Sequence, residues 1–292
     1  MIKSERKKIF NLIGQLVTLL AIFFVIYKIV NYSQSIDFSH LTMMSYAWIS
    51  IFVFIYVIGN CILSMAWGDI LAGLGCEIKA IDSFNIYGLS QIAKYLPGNI
   101  AHFGSRQLLG LNKGVSGKVL LKSTFWELSL LVLAGAIFSV FILATYANYI
   151  KVIEAGFLFF FLCLASFFTL KFRFNARYSR AFLMYLVFLT LSGIVFSSIF
   201  YVIDESIMQS FNMWLIFTTT FITAWLIGIV TPGAPGGIGI REAFLITLLG
   251  LLTPESELVF AVILSRGVTV CGDFLFFIIA WLSNNKRKQE NC

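Results

Sequence analysis

Seven apolar stretches recur along the 292-residue chain, at residues 9–30, 46–66, 119–147, 152–170, 181–203, 212–230 and 258–282. Each is close to the roughly 20 residues that carry a helix across a hydrocarbon core. Apolar side chains occupy every face of these stretches, so they show neither the stripe of a soluble amphipathic helix nor the alternation of a strand. Composition agrees, with 59% of residues hydrophobic, 12% charged and a mean hydropathy of +0.91, where soluble domains carry about a quarter charged residues. The expected fold class is all-α, a polytopic membrane helix bundle forming a single transmembrane domain over residues 1–292.

The net charge of +7 comes from 21 Lys and Arg scattered between the apolar runs. They form no continuous basic surface, so no nucleic-acid partner is expected. Placing both termini in the cytoplasm leaves fifteen of them inside and two, Lys28 and Lys151, outside. That asymmetry is the positive-inside pattern. The remaining four, Lys94, Arg106, Arg241 and Arg266, fall in or beside membrane segments. The first run follows Lys3, Arg6, Lys7 and Lys8 like a signal peptide, but it is too long and lacks a small-residue cleavage site, so it reads as a retained anchor. Cys61, Cys163 and Cys271 lie in apolar runs and Cys76 and Cys292 in polar segments, a spacing that suits neither a disulfide framework nor a metal site. With two histidines in the chain, neither a metal nor a cofactor is expected.

Parity constrains the segment around "QIAKYLPGNIAHFGSRQLLG". Residues 69–82 and 113–122 fall on the same side, so residues 83–111 enter and leave by one face. The two legs, 83–96 and 98–111, are about 21 Å long at 1.5 Å per residue, short of a core of about 30 Å. A re-entrant hairpin with Pro97-Gly98 at its tip follows. The segment "TPGAPGGIGIREAFLITLLG" is flanked outside by Asp204, Glu205, Glu255 and Glu257 and dips in from the opposite face. Its first leg, 212–230, is about 28 Å long, which leaves its depth open. The two elements align as copies: Pro97-Gly98-Asn99-Ile100 matches Pro235-Gly236-Gly237-Ile238, and Glu127 and Arg266 follow at 30 and 31 residues after the respective prolines. The expected architecture is therefore about six full spans plus two oppositely oriented broken or re-entrant hairpins, an inverted repeat with halves near 46–147 and 181–282.

A broken helix in lipid frees backbone groups that must be satisfied by protein or by a wet cavity. The freed helix N-terminus is a site for an anion. Candidate substrate-binding residues are accordingly Lys94, Pro97, Gly98, Asn99, His102 and Arg106 in the first element, and Pro235, Gly236, Gly237, Arg241 and Glu242 in the second. Arg106 lies one turn after His102 and either faces a lipid phosphate or snorkels to headgroups, and Lys94 has the same two readings. His102 is either a packing residue or a proton carrier. Glu242 either serves the site or holds the charge of Arg241 beside it. Glu127 and Arg266, at matching places, are expected to meet as a structural or gating ion pair, with Asp273, on Arg266's face, as a second partner. "GLNKGVSGKV" fails as a phosphate loop, because Asn112 and Val119 replace the required glycine and hydroxyl.

"KYLPGNIAHFGSR" and "PGGIGIRE" resemble the two signature stretches of the lysylphosphatidylglycerol synthase transmembrane-region family, whose members are flippase-like. Lys94, Tyr95, Pro97, Gly98 and Arg106 match the first motif, Ala101 and Ser105 replace its usual tryptophan and glycine, and Glu127 matches a glutamate common in the next span. The resemblance implies a lipid translocase of the bacterial inner membrane, multi-pass with both termini cytoplasmic. Its substrate would be a membrane lipid with an anionic headgroup, a phospholipid or a polyprenyl-phosphate-linked glycolipid. Its partners would be envelope glycan or lipid-modifying enzymes. The chain ends at Cys292 without a soluble synthase domain, so aminoacyl transfer is not carried over and a transporter rather than an enzyme is expected. A membrane-embedded transferase acting on a lipid phosphate, or a scaffold of a glycan-assembly complex, stays open.

Overall fold

The computed structural model describes residues 42–96, 101–146, 150–230 and 240–290. Helices dominate and no strand occurs among these residues, as a bilayer requires of a chain that must satisfy its backbone polar groups internally. In chain order the helices are α1 (Met43–Gly73), α2 (Ala80–Gln91) with a 3₁₀ turn at Ile92–Tyr95, α3 (Ala101–Asn112), α4 (Gly117–Phe138), α5 (Val140–Thr145), α6 (Val152–Arg173) and α7 (Ala176–Ile203). A short 3₁₀ turn at Ile207–Gln209 leads to α8 (Phe211–Val230), α9 (Ile240–Leu249) and α10 (Glu255–Glu290). Six helical stretches among the described residues are long and apolar enough to cross a membrane: α1, α4 with α5, α6, α7, α8 and α10. The protein is a polytopic all-α bundle. Run 9–30 lies outside the described residues. Run 212–230, expected as one leg of a hairpin, qualifies as a crossing helix by length and composition alone.

Local signals extend the helices beyond the apolar runs. Thr42 caps α1 through a capping box, with Ser45 N donating to Thr42 Oγ1 and Thr42 N to Ser45 Oγ, each at 3.3 Å. At the other end Gly75, at φ +79°, turns the chain out of α1. There Cys76 N donates to Leu71 O at 2.9 Å and Gly75 N to Ala72 O at 3.0 Å, a Schellman stop that needs the left-handed glycine.

Helix α7 is the hub, and its Phe182, Tyr185, Phe196 and Phe200 are fully buried. Helix α1 lies along it, with the Tyr56 and Phe188 ring centroids 6.3 Å apart. Helix α6 is peripheral: Ala155 and Leu170 are its buried residues, while Phe157, Phe160, Phe161 and Phe168 are exposed. In a bilayer such a surface is solvated by lipid tails, so its apolar exposure carries no penalty.

Helix α2 crosses α10 at close range through Gly88. A Cβ there would sit 2.4 Å from Ala280 Cβ. Gly88→Ala is therefore expected to destabilise the fold by about 1–3 kcal/mol, and Ala280→Gly in the same chain to restore most of it. Unfolding midpoints in detergent for the two single variants and the double variant check this.

Contacts at the two ends of α10 locate the neighbouring helix ends. Lys113 Nζ, just after α3, and Arg287 Nη1, near the end of α10, each donate to Asp82 in the first turn of α2 at 2.9 Å. At the far end of α10, Leu258 packs in one hydrophobic cluster with Met208, just before α8, and with Leu249, the last residue of α9. Residues 255 to 287 span about 48 Å. The start of α2 and the end of α3 thus lie towards one end of α10, and the start of α8 and the end of α9 towards the other.

Partial burial opposes the charge of Asp82, but Lys113 and Arg287 outweigh it and hold the carboxyl below its usual range. A depressed carboxylate stabilises the fold above its unfolded value of about 3.9 and loses that contribution as pH falls through the folded value. Lys113 is half-exposed, so the contribution is below about 1 kcal/mol. The wild type is expected to lose this increment in acid, below about pH 4, and Asp82→Asn to lack it at every pH, as read from unfolding midpoints against pH.

Candidate functional site: a charged interior shared by two broken elements

Helix α2 turns a polar face inward, because Ser83, Tyr87, Ser90 and Gln91 recur at helical spacing and are all buried. Each takes a partner on another element or in its own turn. Ser83 Oγ donates to Ser64 O on α1 at 2.6 Å. Tyr87 OH donates to Glu127 Oε1 on α4 at 3.1 Å. Ser90 Oγ accepts from Arg106 Nε on α3 at 3.4 Å. Gln91 Nε2 donates to Asn60 Oδ1 on α1 at 2.7 Å.

Arg106 and Glu127 form an ion pair at 2.5 Å, each about 2% exposed. The guanidinium also lies 3.8 Å from the Tyr87 ring centroid. Stripping two charges of water costs several kcal/mol per ion, so such a pair persists where further hydrogen bonds satisfy the remaining valences. Tyr87 and Ser90 supply them. The buried Tyr185 hydroxyl of α7 stands in the field of this pair, with no hydrogen-bond partner among the described residues.

Deeper along α10, Asp273 is fully buried and accepts from Asn60 Nδ2 at 3.1 Å, from the Tyr95 hydroxyl at 2.5 Å and from the Lys94 ammonium. Seven residues earlier on the same helix, Arg266 Nε donates to Glu242 of α9 at 2.6 Å. Beside Glu242, Arg241 is buried with its guanidinium 4.2 Å from the Phe221 ring centroid. Seven residues of helix rise about 10 Å. The charges of the first broken element and those of the second therefore dock on two neighbouring turns in the middle of α10. Arg241 and Arg266 act electrostatically on both Lys94 and Tyr56, which makes this one electrostatic neighbourhood. Among the described residues it holds four cations, Lys94, Arg106, Arg241 and Arg266, and three carboxylates, Glu127, Glu242 and Asp273.

Several expected site residues meet here, but not with the expected partners. The salt bridges of Glu127 and Arg266 run to Arg106 and Glu242, not to each other, and Asp273 takes Lys94 rather than Arg266. Two of these pairs are local: Arg106 on α3 reaches Glu127 on the next helix, α4, and Glu242 on α9 reaches Arg266 on the next helix, α10, whereas Lys94 crosses the chain to Asp273. The charge order is reversed between the two pairs, Arg then Glu in Arg106–Glu127 and Glu then Arg in Glu242–Arg266. Arg106 is thereby committed to Glu127 rather than presented to a headgroup. His102 is half-buried, and its Nδ1 has no hydrogen-bond partner among the described residues. Pro97, Gly98, Asn99, Pro235, Gly236 and Gly237 lie outside the described residues. Tyr56, Asn60, Tyr87, Gln91 and Tyr95 take part without having been expected. Asn60 and Gln91 carried a readable signal, an amide within or beside an apolar run.

The sequence model of the family described as lysylphosphatidylglycerol synthase TM region matches residues 11–276. The chain belongs to that family. The match extends past Asp273 and so takes in every charged residue of the interior set. A search among curated proteins finds no match. As a member of the lysylphosphatidylglycerol synthase TM region family, the protein is a lipid-related, multi-pass membrane protein.

Proposed function

We propose that this protein translocates a lipid with an anionic, phosphate-bearing headgroup, a phospholipid or a polyprenyl-phosphate-linked glycolipid, across the bacterial inner membrane. Both termini face the cytoplasm, following the positive-inside bias. The observation that carries this reading is the docking of Lys94 and Glu242, from two elements that start at opposite ends of α10, on Asp273 and Arg266 two turns apart. An ionisable group at membrane depth costs at least about 2.5–3.5 kcal/mol, and seven of them, four from these two elements and three from α4 and α10, fit a headgroup path better than a scaffold.

In this reading α2–α3 and α8–α9 are re-entrant hairpins of an inverted repeat, with halves near 46–147 and 181–282. The N-termini of α3 and α9 bring two positive half-helix ends toward the midplane. Lys94 and Arg241 hold the phosphate while the acyl or prenyl chains stay in lipid. Rocking of one half against the other alternates access. The Arg106–Glu127 and Glu242–Arg266 pairs keep each half rigid as it moves.

Purified protein in liposomes with a fluorescent phosphatidylglycerol tests this. The label is expected to become accessible to an impermeant quencher beyond the outer-leaflet fraction, with the lipid chemically unchanged. A new lipid product would point instead to a transferase, and neither result to a scaffold.

A further inference from the structure

Asp273 has two kinds of partner. Asn60 and the Tyr95 hydroxyl are neutral and held in place, the amide of Asn60 being oriented by Gln91 Nε2 at 2.7 Å. Lys94 is charged, on a long flexible stem, and its side chain is 22% exposed although Asp273 is fully buried. It sits in the 3₁₀ turn Ile92–Tyr95 immediately before the tip residues.

The other titratable groups around Asp273 are spoken for or neutral. Arg266, on its own helix, is bonded to Glu242. Arg241 of α9 lies within electrostatic reach of Lys94 and Tyr56, and Tyr56 of α1 faces the carboxylate. His102 of α3 lies within electrostatic reach of Lys94, its Nδ1 without a hydrogen-bond partner among the described residues; helix α7 carries no charged residue over 181–203, and residues 97–100 and 231–239 contain no titratable side chain. Lys94 is thus the counter-charge able to leave Asp273 for another anion.

We infer that an anionic headgroup captured by Lys94 loads Asp273 with a proton, so that lipid binding and proton uptake are coupled at this site. A buried carboxylate that loses its counter-charge neutralises rather than staying ionised. The proton passes from water to Oδ2, the oxygen that Lys94 vacates, while Asn60 and Tyr95 keep their hydrogen bonds to the carboxyl. Lys94 with Asp273 is neutral before binding, and Lys94 with phosphate plus a protonated Asp273 is neutral after it. When the headgroup departs, Lys94 returns and the proton is expelled, so a transmembrane proton gradient gives the cycle a direction. This inference rests on the lipid-translocase reading above.

The test uses the full chain in detergent, weakly buffered near neutral pH with an indicator dye, titrated with dihexanoyl-phosphatidylglycerol and, separately, dihexanoyl-phosphatidylcholine. Uptake of about one proton per bound anionic lipid is expected, none with the choline lipid, and none in Asp273→Asn although it still binds. Infrared difference spectra of the wild type should gain the carbonyl band of a protonated carboxylic acid on lipid binding, a readout that does not depend on the variant folding. Binding of the anionic lipid without proton uptake or that band overturns the coupling and leaves the translocase reading standing. Uptake that persists in Asp273→Asn, or that the choline lipid also drives, overturns it equally. Failure of the wild type to bind the anionic lipid sinks both.

Discussion

Glu127→Ala is expected to cost about 3–5 kcal/mol of stability, because it leaves the Arg106 guanidinium buried with no counter-charge. Both groups are about 2% exposed, and the remaining neighbours of Arg106, Ser90 and the Tyr87 ring, carry no negative charge to replace the carboxylate. Arg106→Ala is expected to fail similarly by stranding Glu127. The informative variant is the exchange, Arg106→Glu with Glu127→Arg. The second half of the molecule already holds the inverted order, glutamate on the short helix and arginine on the span. The double variant is therefore expected to recover at least half of the loss, as read from denaturant midpoints and from survival as a single species after detergent extraction. A double variant no more stable than either single one would mean that the geometry around Arg106, rather than pairing of charge, holds α3 to α4.

Lys94→Gln is expected to do the opposite, sparing the fold and stopping the transport. Asp273 keeps its bonds from Asn60 and Tyr95 and, without its counter-charge, takes up a proton, so the midpoint should fall by less than in Glu127→Ala. With the mobile cation gone, translocation of fluorescent phosphatidylglycerol in liposomes is expected to fall at least about tenfold, equivalent to about 1.4 kcal/mol. Wild-type rates in Lys94→Gln would remove Lys94 from the headgroup path.

The transmembrane character of the bundle was legible in the sequence because it depends on one property, the length of apolar runs. Helices α1, α4 with α5, α6, α7, α8 and α10 each contain one such run nearly whole. Their true ends were set by caps outside the runs, at Thr42 and Gly75 for α1, which hydropathy does not register. The charged site residues were legible one by one, since a charge in an apolar segment stands out. Their pairing was not. Aligning the two proline-glycine segments puts Glu127 and Arg266 at matching positions, and symmetry alone suggests that they meet. The outcome was decided by reach, because α3 packs on α4 and α9 on α10, and each supplies a partner nearby. The neutral members of the site were hardest to see. Tyr56, Tyr87 and Tyr95 are counted among the hydrophobic residues of the composition, yet Tyr87 and Tyr95 place their hydroxyls on buried carboxylates.

The central claim is that both halves of the chain converge to hold a phosphate in the membrane interior. The most direct measurement is an experimental density map of the protein in a lipid nanodisc containing phosphatidylglycerol. The account predicts phosphate density within hydrogen-bonding distance of Lys94 and facing Arg241, beside the middle of α10. Headgroup density confined to the two membrane surfaces, with the space between Lys94 and Arg241 closed and dry, would contradict it.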